Sequence, residues 1–193
     1  MHKKARLRRL ALKRRNALPL EYREKAAQDL LCYIEQFAST FPIKEAVIAG
    51  YWAIGSELNP LPFLTALFER GAILCLPAVI DCHAMVFRSF DLYKTGSLYH
   101  ARFGIREPSA ANPELLPDIV LTPLVAFDKR GNRVGYGAGY YDRVYAEFVQ
   151  KKHHSKAVGV GFVEQEVPQI PAEPFDQKMH ALLTPAGLTI CTR

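Results

Sequence analysis

The chain has 193 residues, of which 49% are hydrophobic and 23% charged, and its formal net charge is +6. This length and composition are typical of one folded domain and exclude a disordered, collagen-like or repetitive chain. No apolar run approaches the roughly 20 residues that a transmembrane helix needs. The basic N-terminus also lacks the apolar stretch of a secretory signal. We therefore expect a cytoplasmic protein without a membrane partner.

Much of the positive charge lies in residues 1–15, which read MHKKARLRRLALKRR. A basic chain of this kind can bind a nucleic acid, a membrane surface or an anionic small molecule. Apolar residues among these cations predict a helix over residues 3–17, which Pro19 ends. We interpret Arg14 and Arg15 as solubilising charge.

Apolar periodicity predicts helices and strands in alternation along the rest of the chain. The predicted helices cover residues 21–37, 61–71 and 140–152. The predicted strands cover residues 46–52, 72–79, 85–90, 118–128, 156–163 and 180–187, and residues 91–117 are expected to form a long loop. This order predicts an α/β layered fold with a largely parallel central sheet flanked by helices. Ligands bind at the carboxyl ends of such strands, so the loops after residues 52, 128 and 163 are the expected site.

The residue types used in nucleophilic and zinc chemistry show no catalytic or metal-binding spacing. The four cysteines, Cys32, Cys75, Cys82 and Cys191, form no Cys-x-x-Cys pair and have no histidine cluster at zinc spacing. We expect four reduced thiols, at least two of them buried, with Cys32 and Cys75 in apolar surroundings. The histidines show no triad spacing and no Gly-x-Ser-x-Gly elbow is present, which argues against a serine hydrolase.

The strongest local signal is the segment GNRVGYGAGYYDR at residues 131–143, between a predicted strand and a predicted helix. Its four glycines allow the backbone to approach a ligand closely with N–H groups turned inward. The start of the next helix adds a partial positive charge, and Arg133 adds a planar, charged fork suited to phosphate. The segment predicts a polyphosphate site, although it is not a Walker loop, because no Gly-Lys-Ser/Thr follows.

This segment resembles the signature of the 5-formyltetrahydrofolate cyclo-ligase family, which reads roughly Gly-x-Arg-Leu-Gly-x-Gly-x-Gly-Tyr-Tyr-Asp-Arg. The resemblance covers nearly the whole chain. Further similar segments are KARLR at 4–8, the strand exit at 51–57, FGIREP at 103–108, AFD at 126–128, and Asp176. Two departures are ELNP at 57–60, where the family commonly has Glu-Val-Asp-Thr, and Ala138, where Gly or Lys is often found.

The resemblance implies one α/β cyclo-ligase domain over residues 1–193, with the basic N-terminal helix packing onto it. It also implies an enzyme of folate and one-carbon metabolism, a ligase that closes 5-formyltetrahydrofolate to 5,10-methenyltetrahydrofolate with ATP and Mg²⁺ and releases ADP and phosphate. In this reaction the formyl oxygen attacks the γ-phosphate, N10 attacks the activated carbon, and no protein nucleophile is required.

The same resemblance assigns site residues. The ATP-binding residues it implies are Lys4, Arg8, Arg133, Val134, Gly135, Tyr136, Gly137, Ala138, Gly139, Tyr140 and Tyr141. The substrate-binding residues it implies are Trp52, Glu57, Tyr136, Gly137, Ala138, Gly139 and Tyr140. Arg133 and Glu57 are the expected catalytic residues, and Asp142 and Asp176 the expected Mg²⁺ ligands.

Each assignment has a plainer alternative. Lys4 and Arg8 lie four residues apart and could form a solvated basic face or a nucleic-acid arm. Trp52 could belong to the sheet core, Tyr141 could be core on its helix, and Asp176 could be a turn residue. The rival functions are an ATP-dependent kinase or ligase for another small acid, and a nucleic-acid-binding protein. We expect neither nucleic acid nor a membrane as partner, and a monomer whose folate substrate carries one glutamate or several.

Overall fold

A computed structural model gives the fold over residues 3–100, 105–173 and 176–191. Its α-helices are α1 (Lys3–Asn16), α2 (Leu20–Asp29), α3 (Ile34–Thr40), α4 (Leu61–Glu69) and α5 (Tyr140–Gln150). Its β-strands are β1 (Val47–Ala49), β2 (Ile73–Val79), β3 (Met85–Ser89), β4 (Tyr99–His100), β5 (Arg106–Glu107), β6 (Ile119–Pro123), β7 (Ala126–Phe127), β8 (Arg133–Val134), β9 (Lys156–Val160), β10 (Ala181–Thr184) and β11 (Gly187–Ile190). Among these described residues, no helix combines the length and apolar character that crossing a bilayer requires.

Seven strands form the central sheet in the order β11-β10-β9-β6-β1-β2-β3. The inner strands from β10 to β2 run parallel to one another, and β3 and β11 pair antiparallel at the two edges. Parallel strands are covered on both faces, which accounts for their nearly continuous apolar sequences. The predicted α/β fold with a largely parallel sheet is therefore confirmed.

Alternate side chains of each inner strand enter two different cores. In β1, Ile48 packs with α2, α3 and α4, whereas Ala49 packs on the opposite face with α5. In β6, Ile119 and Val120 divide in the same way. The period of two along each strand thus places three helices on one face of the sheet and α5 on the other.

Helix α1 packs on the β7–β8 hairpin rather than on the central sheet. Ala11 of α1 is fully buried there, and Leu7 and Leu12 pack around it. The buried partners of Ala11 are Val125, Ala126, Val134, Val167 and Ile170. This contact brings the basic helix beside the glycine-rich segment.

Several element boundaries differ from those expected. The predicted helix over 21–37 is interrupted by a 3₁₀ turn at Leu30–Tyr33, and the predicted strand over 118–128 is divided into β6 and β7. The expected loop over 91–117 contains a 3₁₀ segment and the β4–β5 pair. Residues 101–104 of this loop, which include the start of the FGIREP segment, lie outside the described residues. Local apolar patterns do not report these breaks, because strand pairing and packing between distant segments decide them.

The positions of the cysteines agree in part with the expectations from the sequence. All four are free thiols; Cys75 and Cys191 are buried, and Cys32 and Cys82 are exposed. The expectation of at least two buried thiols is therefore met. The expectation of apolar surroundings was wrong for Cys32, because it lies on the outer side of the 3₁₀ turn between α2 and α3.

Candidate active site

Asp128 organises the turn that leads into the glycine-rich segment. Its side chain is fully buried. The carboxylate accepts hydrogen bonds from the main-chain N–H groups of Arg130 (3.0 Å), Asn132 (3.1 Å) and Ile170 (2.9 Å), and from the side-chain amide of Asn132. These bonds fix the β7–β8 hairpin and therefore the position of Arg133, the first residue of β8.

The glycines of this segment serve two purposes. Gly131 has φ of +79°, and a Cβ placed there would lie 2.6 Å from the carbonyl oxygen of Met179, so packing requires this glycine. Gly137 and Gly139 also have positive φ, which L-residues adopt at a cost. A Cβ placed at Gly135, by contrast, would have no other heavy atom within 4 Å. Residues 135–139 therefore form the part of the segment that a ligand can approach.

Two cations of α1 have partners at this end of the molecule: Arg8 contacts the loop itself, and Lys4 contacts two carboxylates from later in the chain. The Lys4 ammonium contacts the Asp176 carboxylate at 2.5 Å and that of Glu173 at 3.1 Å. Burial alone would lower the pKa of Lys4, but its hydrogen bonds and charge interactions with these two carboxylates outweigh burial and raise it. Arg8 donates from Nε to the Gly135 carbonyl at 2.6 Å, and its guanidinium lies against Gly137.

Arg133 is buried and is held by three contacts outside residues 135–139. Its side chain is 6% exposed and pairs with Asp142 through an Nη2–Oδ1 contact of 2.5 Å. Nη1 donates to the carbonyl oxygen of Gln177, and the guanidinium lies 5.4 Å from the ring centre of Tyr145. One guanidinium thus contacts both the Asp142 carboxylate and the main chain of Gln177, the residue that follows Asp176.

Glu57 lies after β1 and is only 8% exposed. Its Oε2 accepts a hydrogen bond from the Ile54 N–H at 2.9 Å. Burial raises the pKa of Glu57, while the Ile54 N–H, the positive charge of Arg15 and the Tyr136 hydroxyl act in the opposite direction. Because Tyr136 belongs to the glycine-rich loop, the residues expected to bind ATP and folate meet at this carboxylate.

Arg15 is a site residue that the sequence interpretation missed. It is 2% exposed, so its assignment as solubilising charge was wrong, whereas Arg14 is exposed as expected. Arg15 lies four residues after Ala11 and shares its helix face, but the burial of that face comes from packing against distant segments and has no local sequence signal.

A cleft of about 330 Å³ opens beside Glu57, between α2 and the segment that follows β1. Trp52 and Asn59 form part of one wall, and Arg23 contributes from α2. Trp52 is half-buried, and the Arg106 guanidinium lies 5.3 Å from its ring centre. The cleft therefore combines an aromatic ring, aliphatic side chains and polar groups of both charges next to a buried carboxylate.

Three expected ATP-binding residues direct their side chains elsewhere. Val134 is buried against α1. The Tyr140 hydroxyl donates to the Asp81 carbonyl at 3.0 Å, and the Tyr141 ring lies 6.4 Å from that of Tyr145. Contacts of these residues with a nucleotide are therefore expected through their main chain.

The carboxylates beside the loop suit Mg²⁺ only in company with phosphate oxygens. Within the described residues, no three His, Cys, Asp or Glu side chains come together as a metal site. Asp142 and Asp176 each pair with a cation, and their side chains are 39% and 25% exposed. Mg²⁺ in phosphate-handling enzymes takes one or two carboxylates together with phosphate oxygens and water, so these two residues fit that donor set.

Comparison with known proteins identifies similar chains. The model of the 5-formyltetrahydrofolate cyclo-ligase family matches residues 1–185. The 5-formyltetrahydrofolate cyclo-ligase of Mycolicibacterium smegmatis is 33% identical over 94% of this chain and 93% of its own. That of Escherichia coli strain K12 is 29% identical over 90% and 95%. The solution structure of Aquifex aeolicus 5,10-methenyltetrahydrofolate synthetase superposes with a TM-score of 0.76 at 25% identity, covering 100% of this chain and 94% of that one.

The two classes of glycine give a prediction that needs no ligand. Gly131→Ala should lower the free energy of unfolding by about 1–3 kcal/mol or more, because it combines a strained φ with a clash against main chain. Gly135→Ala, the same change in open space, should alter it by less than about 0.5 kcal/mol. Urea denaturation of the ligand-free variants measures both, and equal losses would show that packing does not require Gly131.

Proposed function

The chain belongs to the 5-formyltetrahydrofolate cyclo-ligase family, and on that basis we propose how its residues perform the reaction. It is an ATP-dependent ligase that converts 5-formyltetrahydrofolate to 5,10-methenyltetrahydrofolate. The observation that carries the proposed site is that the glycine-rich loop meets the segment after β1 through Arg15, which contacts both the Tyr136 hydroxyl and Ser56, the residue before Glu57. We also propose that residues 1–193 act as one monomeric domain in the cytoplasm, a setting that suits four free thiols.

The triphosphate of ATP is proposed to lie over residues 135–139, with Lys4, Arg8 and Arg133 around it. The exposed loop backbone and the start of α5 favour an anion there. Lys4 and Arg133 are each paired with a carboxylate, Asp176 and Asp142 respectively. On ATP binding these two cations exchange their carboxylate partners for phosphate oxygens, which keeps their charges compensated.

The carboxylates released by that exchange, Asp142 and Asp176, are the proposed Mg²⁺ ligands. When bound, the ion neutralises charge on the phosphate oxygens. The pairing of both residues with cations supports this role, because a carboxylate that gives up its cation to phosphate needs another positive partner.

The folate is proposed to occupy the cleft beside Glu57. The Glu57 carboxylate can accept hydrogen bonds from pterin N–H groups, and the Trp52 ring offers a flat surface for stacking. A glutamate tail of one or several residues is proposed to run along α2, where Arg23 lines the cleft as a cation beside the acidic Glu24. The departure at Asn59 is compatible with this site, since its Oδ1 accepts the Leu61 N–H at 3.1 Å and so fixes the start of α4.

In the proposed reaction, the formyl oxygen attacks the γ-phosphorus and ADP leaves. N10 then attacks the phosphorylated carbon, loses its proton, and expels phosphate to form the methenyl bridge. The protein supplies position and charge: the loop and its cations hold the phosphates, while Glu57 orients the pterin. No protein nucleophile takes part.

The first experiment mixes the protein with 5-formyltetrahydrofolate, ATP and Mg²⁺ and follows the near-ultraviolet absorbance of the methenyl product. We expect a rise that requires all three components, with one phosphate released per product. Phosphate release that does not depend on 5-formyltetrahydrofolate would indicate another acceptor and overturn the proposal.

Arg133 should affect the chemical step. Arg133→Gln should lower kcat by at least ~10²-fold, because it removes a charge that meets the transferring phosphoryl group. Arg130→Gln, an exposed arginine three residues earlier, is the matched control and should retain the wild-type rate. A folded Arg133→Gln enzyme with unchanged kcat would remove Arg133 from the mechanism; urea denaturation establishes that the variant is folded.

Lys4 pairs with two acids, Asp176 and Glu173, but only Asp176 is a proposed metal ligand. Asp176→Asn and Asp142→Asn should each raise the Mg²⁺ concentration for half-maximal rate roughly tenfold or more. Glu173→Gln also removes a partner of Lys4, but its side chain is 61% exposed and it is not a proposed ligand, so its Mg²⁺ requirement should stay unchanged. Equal shifts in Asp176→Asn and Glu173→Gln would mean that Lys4 pairing, not metal binding, explains the effect.

A further inference from the structure

Arg15 is a buried charge with partners from separate parts of the chain. Its guanidinium donates from Nε to Ser56 Oγ at 3.0 Å, from Nη1 to the Leu124 carbonyl at 3.2 Å, and from Nη2 to the Tyr136 hydroxyl. The guanidinium also lies 5.5 Å from the Tyr136 ring centre. Arginine stays ionised in proteins, so this site must supply compensation for a permanent charge.

The compensation comes from the proposed folate side. Glu57 is the buried carboxylate that interacts with Arg15, and the Tyr136 hydroxyl contacted by Arg15 also interacts with Glu57. The contacts of Arg15 with Tyr136 and with Ser56 thus join α1 both to the glycine-rich loop and to the segment after β1, which carries Glu57.

The next residue of α1 strengthens the same connection. Ser56 Oγ donates to Asn16 Oδ1 at 2.5 Å, so Arg15 and Asn16 both contact Ser56, which precedes Glu57. The last turn of α1 thus holds the segment that carries the proposed folate carboxylate.

The middle of α1 contacts the proposed phosphate loop. Arg8 donates to the Gly135 carbonyl, and Arg15 contacts the adjacent Tyr136 side chain. An α-helix of 14 residues is about 21 Å long and behaves as one rigid element. Any ligand that fixes the position of α1 and the loop will therefore also fix Ser56 and Glu57.

We propose that Arg15 is a positioning residue that couples the two substrate sites, so that ATP and 5-formyltetrahydrofolate each raise the affinity for the other. This inference rests on the proposed function. Coupling of this kind is reciprocal, because the affinity change that one ligand causes equals the change caused by the other. A hydrophobic residue would fill the position without a buried charge to compensate, but it would not link these groups.

The test measures binding of a non-hydrolysable ATP analogue by calorimetry, with and without saturating 5-formyltetrahydrofolate. In the wild-type protein we expect the folate to tighten analogue binding at least about fivefold. Arg15→Met should reduce this factor towards one, and Arg15→Lys should keep only part of it, because an ammonium lacks the planar fork. Arg14→Met changes the exposed neighbour on the same helix and should retain the wild-type factor.

A second variant tests the inference even if Arg15→Met does not fold. Tyr136→Phe removes one hydroxyl from an exposed loop side chain and should also reduce the coupling factor. A third readout is the acid limb of kcat/KM for the folate, which should move to higher pH in Arg15→Met. Loss of the Arg15 charge favours the protonated form of Glu57, which Tyr136, Tyr51 and Tyr141 also face.

The outcomes separate the two proposals. An unchanged coupling factor in Arg15→Met, or equal weakening of both ligands with the factor retained, would show a merely structural arginine and overturn the inference. Wild-type protein that binds both ligands without coupling would overturn it as well, while leaving the proposed reaction intact. Wild-type protein that binds the analogue but no 5-formyltetrahydrofolate would instead overturn the proposed function.

Discussion

The apolar contact between α1 and the β7–β8 hairpin determines where the charges of this site lie. Ala11 is fully buried against the hairpin, and the same helix carries Lys4, Arg8 and Arg15 to three different partners. Without that contact, these cations would belong to a detached, strongly basic helix. With it, a few buried methyl groups hold several charges in place around one loop.

Two of the proposed phosphate-binding cations have acidic partners within the protein. Lys4 pairs with Asp176, and Arg133 pairs with Asp142. Breaking such pairs opposes ligand binding, and a triphosphate that supplies several charged oxygens at once can offset that cost better than a single phosphate can. The pairing therefore favours polyphosphates over smaller anions.

Sequence reasoning predicted the elements whose signal is local. The buried runs around β2, β6 and β9 and the glycine-rich segment were identifiable because apolar pattern and glycine spacing depend on neighbouring residues. The burial of Arg15 was not, since a cation on a basic helix is ordinarily solvated and only the distant partners Ser56, Leu124 and Tyr136 make its burial possible. The hairpin turn at Asp128 was hidden for the same reason: Ile170 completes it from far along the chain.

The position of α1 at the start of the described chain has a consequence for folding. Its contacts with Gly135 and Asp176 span 127 and 172 residues of sequence. Contacts of such long range form late, because the loop that they close must lose its entropy first. On the ribosome, α1 emerges long before the hairpin that receives it. The core around the sheet can therefore assemble before the charged helix docks, and we expect the proposed site to be completed in one of the last steps of folding.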